Sequence, residues 1–148
     1  MAKIGDVNVV LDKFLTERVA SLSLVLHHDQ YTYNLYVILE PMPWSVETLN
    51  QTVDDELEAL PADMRARFVW ICALIAEHGL QNVGQPYIKH IEGALWEIRM
   101  KGRDGISRAL YVTAKSQRVV LVRVFVKKTQ KTPRREIKLA LRRAREIE

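Results

Sequence analysis

The sequence predicts an α+β fold: two helices packed on a twisted, mainly antiparallel sheet, with a basic helix at the C-terminus. Three observations predict it. Leu95 to Val126 holds three runs of strand patterning, separated by turn residues. Thr52 to His78 carries apolar residues at helical spacing, interrupted at Pro61. From Pro133 onward an apolar stripe is embedded in arginine and lysine.

Taken in order, Val7 to Ala20 reads as a short helix, and Ser21 to Leu26 and Tyr31 to Glu40 read as two strands of a hairpin. Tyr31, Tyr33 and Tyr36 are read as strand packing rather than a base-stacking platform. His27 and His28 are adjacent, so in a strand they point to opposite faces, and no further ligands follow at useful spacing. No metal site is predicted, and no cofactor. Trp44 to Thr48 is expected as the first strand of the main sheet. In the helix from Thr52 to Leu60, Val53, Leu57 and Leu60 share one side. Asp54, Asp55 and Glu56 lie in its first turn, where negative charge suits the helix dipole, and they are expected to face water. Pro61 starts the second helix, Ala62 to His78, whose stripe is Met64, Phe68, Ile71 and Ile75, and Gly79 ends it. The two helices should form a hairpin across one face of the sheet.

Tyr87 to Ile91 is a short strand. Leu95 to Met100 alternates apolar and polar, Lys101 to Gly105 turns, and Ser107 to Ala114 returns. Val119 to Val126 is rich in β-branched residues and reads as a central, buried strand. Thr132 is the expected N-cap of the last helix, with Pro133 in its first position. That helix runs to about Ile147, with Ile137, Ala140, Leu141, Ala144 and Ile147 on its apolar side.

The chain has 148 residues, the size of one domain with a short extension. Charged residues at 27% and three Trp argue against disorder. No stretch is apolar enough to span a membrane, and the N-terminus lacks a signal-peptide pattern. Cys72 is the single cysteine, so there is no internal disulfide, and a reducing cytoplasm is the expected setting. It lies among apolar residues and reads as a buried, inert thiol.

Charge is distributed unevenly. From Arg99 to the end the chain has sixteen basic against four acidic residues, a net of +12. The preceding part has six basic against fourteen acidic, a net of −8. Arg99, Arg108 and Arg123 are expected on the outward side of the sheet, with Lys127 and Lys128 at the strand end. Like charges so placed repel, and a one-sided basic surface is the footprint of a polyanion binder.

The runs LWEIR, GISRALY, VVLVRVFVKKTQKTPRREI and ALRRAREI resemble the HigB-like, phage-derived branch of the RelE/ParE toxin superfamily. WSVETLNQTVDDELEALP, ARFVWICALIAEHG and VGQPYIKHIEGALWEIR extend the resemblance upstream, over roughly 42–148. It implies a RelE-like small domain in that span. Residues 1–41 stand apart as an extension, with Met42 where a shorter relative would start; a real extension and an upstream start codon both remain open. The resemblance further implies a type II toxin that cleaves mRNA on the ribosome, inhibits translation, and is neutralised by a helix-turn-helix antitoxin of HigA type. A basic module of the same fold that binds RNA or protein without cutting is the other expectation.

RNA can be cleaved by its own 2′-hydroxyl, so no metal, phosphate loop or Ser-His-Asp set is required, and none is found. Arginine suits the transition state, because its planar fork binds phosphate oxygens and stays charged. By resemblance, Arg108 and Lys128 hold the scissile phosphate and Arg99 is a second contact. Lys101, Arg123, Lys127, Lys131 and Arg134 would bind flanking RNA. Where RelE has a lysine two residues before the position of Arg99, this chain has Glu97, which is either a base or the salt-bridge partner of a neighbouring arginine. His90 and Tyr111 are the fallbacks for proton transfer.

Overall fold

The computed structural model of the protein describes residues 44–127 and 131–147. The N-terminal helix and tyrosine hairpin expected from the sequence, and Lys128, lie outside the described residues. In chain order the elements are β1 (Ser45–Thr48), α1 (Gln51–Glu58), α2 (Ala62–His78), a 3-10 turn (Leu80–Asn82), β2 (Ile88–Glu92), β3 (Leu95–Gly102), β4 (Gly105–Ala114), β5 (Arg118–Lys127) and α3 (Arg134–Ala144). The class is α+β, with a five-stranded mixed sheet in the order β1-β5-β4-β3-β2. β2 to β5 form an antiparallel meander, and β1 runs parallel to β5. A parallel pair needs a long crossover, which α1, α2 and three strands supply here.

The helices begin where their residues allow. Asn50 caps α1, its side-chain oxygen accepting the Val53 N–H at 3.2 Å. At the start of α2, Asp63 accepts the Arg103 N–H at 2.7 Å and so ties the helix to the β3–β4 turn. Gly102 lies under this contact. A Cβ there would come within 2.6 Å of Asp63 Oδ2, so only glycine fits.

Both faces of the sheet are covered, which corrects the expectation of one apolar and one outward side. On one face Val53, Leu57, Met64, Phe68, Ile71 and Ile75 of α1 and α2 pack against Ile98, Met100, Ala109, Tyr111, Val119 and Leu121. Burying each such side chain contributes on the order of 2 kcal/mol. On the other face Leu95, Leu110, Val112 and Val122 meet Ile137 and Ala140 of α3. The physical reason is α3 itself, whose apolar stripe needs an apolar partner of its own.

The pairing of β4 with β5 shifts between Leu110 and Tyr111. Leu110 opposes Arg123 and Tyr111 opposes Leu121, which leaves Val122 as the extra residue of a bulge. Val122 and Arg123 therefore both serve the α3 side. The outer edge of β5 beyond β1 is closed by side chains. Glu56 accepts the Val124 N–H at 2.9 Å, and Arg143 donates to the Val122 carbonyl at 3.0 Å and to Glu56 at 2.9 Å. Glu56 does not face water as expected, because an unpaired strand amide and two guanidiniums draw it in.

Candidate functional site

Strand register builds the site. Arg99 of β3 stands directly opposite Arg108 of β4, and Arg108 stands opposite Phe125 of β5. One step along, Lys101 opposes Ile106, and Ile106 opposes Lys127. On the other side, Lys89 of β2 opposes Glu97. Residues facing each other across a ladder, and those two apart on one strand, share a face. Lys89, Glu97, Arg99, Lys101, Arg108, Phe125 and Lys127 thus occupy the part of the sheet face that α3 leaves uncovered.

Two guanidiniums in direct cross-strand contact would repel, and the structure answers with Glu97. Its side chain is 0% exposed. Oε1 accepts from Arg99 Nε at 2.7 Å; Oε2 accepts from Arg108, and from the Thr132 hydroxyl at 3.0 Å. Arg108 also donates to Thr132 Oγ1. Here the structure corrects two expectations. Arg108 is not a solvent-facing strand residue; its side chain is 6% exposed against 27% for Arg99. Thr132 is not the N-cap of the last helix. Pro133 holds that position with no side-chain cap bond, and the Thr132 hydroxyl turns inward to the ion pair.

Lys127 borders this network. Burial, and then the charge of Arg108, lowers the pKa of its ammonium from the ordinary value; Arg99 and Lys89 add to the effect and Glu97 opposes it. Lys101 is exposed beside Arg99, and Lys131 is exposed just ahead of α3. The remaining predicted contacts are placed differently. Arg123 is held by Glu56 at 2.5 Å and Glu136 at 2.7 Å, a clamp between α1, β5 and α3 rather than an open cation. Arg134 pairs with Glu92 at 2.6 Å and pins α3 to β2 on the surface. Lys128 is outside the described residues.

The fallbacks lie elsewhere. His90 opposes Trp96, on the face away from Glu97, with its Nε2 2.8 Å from the Gly93 carbonyl oxygen. Tyr111 is 1% exposed in the α1–α2 core, where burial pushes its hydroxyl pKa up. Cys72 is buried in the same core, and its thiol pKa is likewise raised by burial. Among the described residues no three His, Cys, Asp or Glu side chains are grouped to hold a metal ion. Sequence reasoning missed Lys89 and the inward role of Thr132. An acid between alternating strand residues, two positions before an arginine, was the available signal for the ion pair.

The fold and the site together define a small α+β protein with a carboxylate-locked arginine pair on an otherwise cationic sheet face. Residues 55–145, more than half of the chain, match the family described as phage derived protein Gp49-like, and the chain belongs to that family. It is a family of RelE/HigB-like toxins. No curated protein matches the chain.

Proposed function

We propose that the protein is the toxin of a type II toxin–antitoxin pair, of the HigB-like branch, and that it is a ribosome-dependent mRNA endoribonuclease. The observation that carries this reading is the Arg99–Arg108 cross-strand pair fixed by a fully buried Glu97. Cations held in place before substrate arrives stabilise developing charge without reorganising, each worth a few kcal/mol in a barrier.

In the reaction, the 2′-oxygen attacks the adjacent phosphorus as the bond to the 5′-oxygen breaks. The products are a cyclic phosphate and a 5′-hydroxyl. The 2′-hydroxyl proton must leave and the 5′-oxygen must gain one. Arg99, the more open of the pair, meets the non-bridging oxygens, and Arg108 adds charge from beneath. Lys127 shares the face, where burial and the charge of Arg108 lower its pKa from the ordinary value, and its ammonium adds charge beside the scissile phosphate. Lys89 and Lys101 line the path of the flanking backbone. The ribosome supplies the alignment of the message. The expected partner is a helix-turn-helix antitoxin with an acidic segment, and the expected compartment is the cytoplasm, where ribosomes are.

A non-catalytic RNA- or protein-binding module is the second reading. It is favoured by the carboxylate of Glu97 being fully engaged by its neighbours. Purified protein added to programmed ribosomes, followed by primer extension, separates the two. Cuts at codon-spaced positions support the nuclease. Intact message that co-sediments with the protein supports the binding module.

A further inference from the structure

Glu97 stands where a sequence reading places a base, but its surroundings give it another task. A general base must come within hydrogen-bond reach of the proton it takes. The Glu97 side chain has no exposed surface. Both its oxygens are already occupied, Oε1 by Arg99 and Oε2 by Arg108 and Thr132. A ribose hydroxyl has no approach to it. Whatever Glu97 does to a substrate on this face, it does through the two arginines.

Thr132 completes the arrangement from a different part of the chain. Its hydroxyl donates to the carboxylate and accepts from Arg108, across sequence separations of 35 and 24 residues. The bond is made at the expense of a helix cap, since Pro133 holds the N-cap position of α3 without any side-chain cap bond. Capping is the ordinary use of a threonine before a Pro-initiated helix. Here the hydroxyl is committed to the ion pair instead. Next to it in sequence lie Pro133 and Arg134, and Arg134 pairs with Glu92 on β2. The entry to α3 thereby touches the arginine pair through Thr132 and β2 through Arg134.

Resting on the nuclease reading above, we propose that Glu97 and Thr132 are positioning residues that fix the Arg99 and Arg108 guanidiniums for an RNA phosphate, and that Glu97 takes no proton in the reaction. Glu97 holds one edge of each guanidinium, leaving the outer edge of Arg99 toward solvent. Thr132 shares Arg108 Nη1 with Glu97 Oε2, and so ties the guanidinium and the carboxylate to the segment that enters α3. Loss of the hydroxyl lets Oε2 and Arg108 shift together, and a displacement of about 1 Å at a phosphate contact costs on the order of a hundredfold in rate.

The test uses the full chain with Thr132→Val, Thr132→Ser and Glu97→Gln. Valine keeps the shape of threonine and removes the hydroxyl, so the fold survives even if Glu97→Gln fails to fold. Two properties are read: kcat and KM for cleavage on programmed ribosomes across pH, and the side-chain Nε–H resonances of Arg99 and Arg108. Thr132→Val is expected to lower kcat at least tenfold with KM little changed, to leave the shape of the pH profile intact, and to shift or broaden both arginine resonances. Thr132→Ser should recover most of the rate and the resonances. Glu97→Gln should lower kcat further while keeping the same pH limbs.

A Thr132→Val protein with parental kcat and parental resonances overturns the proposal. So does a Glu97→Gln protein that loses one limb of the pH profile, which marks Glu97 as the base. If the parent cuts no message, the nuclease reading fails but the positioning role is still decided. Resonances and affinity for a short oligouridine that change in Thr132→Val and return in Thr132→Ser support it, and unchanged values overturn it.

Discussion

Arg108 keeps 6% of its side chain exposed, and the carboxylate that faces it keeps none. A buried ion pair behaves asymmetrically: removing one partner leaves the other charge in a low-dielectric site with its compensation lost. Arg108→Ala is therefore expected to destabilise the protein by about 3 kcal/mol, measured by urea or thermal melts. A residue on an open strand face would show a loss near zero, and that result would remove the buried-pair account. Activity lost in this variant must accordingly be corrected for unfolded protein. The positions of Arg99 and Arg108 on neighbouring strands were legible in the sequence, because alternation and turn residues set the register. Burial was not, because it depends on Glu97 and on Thr132 reaching the pair from 24 residues further along the chain, and nothing in the local pattern around Arg108 reports that.

At the scale of elements, α3 is held by its apolar stripe and by Glu136, which accepts from Arg123 at 2.7 Å and Arg135 at 3.1 Å. Burial raises the Glu136 pKa, but the bonds and charges of Arg123 and Arg135 outweigh it and hold the carboxyl below its ordinary value of 4.5. A depressed carboxyl stabilises the fold above its unfolded pKa, and this contribution is lost as pH falls through the folded value. Glu136→Gln should cost about 1–2 kcal/mol at pH 7. The gap between parent and variant should close below pH 4.5. Paired urea melts at neutral and acid pH check this, and a gap that persists or widens in acid contradicts it. Strands β3, β4 and β5 and the helical spacing of α2 could be read from the sequence. The bulge at Val122 could not, since strict alternation along Val119 to Val126 puts Arg123 in phase with Leu121 rather than with Val122. Glu56 was likewise read as solvated, for want of any local sign that β5 has an open edge there.

For the whole molecule, the charge tally overstated the basic surface. Acids of the first half meet bases of the second: Glu47 with Arg118, Glu56 with Arg123 and Arg143, Glu92 with Arg134, Glu97 with Arg99 and Arg108. These pairs offset part of the basic charge, and among the described residues Lys89, Arg99, Lys101 and Lys127 stand together on one face of the sheet. Affinity for single-stranded RNA should fall with salt at a log–log slope of about −3, the value for roughly four phosphate contacts. A slope steeper than about −6 would mean that the whole basic half engages RNA, and a flat response would mean that the face is not electrostatic. Fluorescence anisotropy between about 50 and 200 mM salt gives the number.

Glu47 and Arg118 meet across 71 residues of chain, and Glu56 and Arg143 across 87. Chains fold from the N-terminus as they are made, so β1 and α1 wait for their strand partner until β5 has been synthesised. Thr132 seals Glu97 only after every strand has been synthesised. A nascent polypeptide can carry all five described strands and still lack an aligned arginine pair, so the order of synthesis by itself defers competence until the segment after β5 has been made.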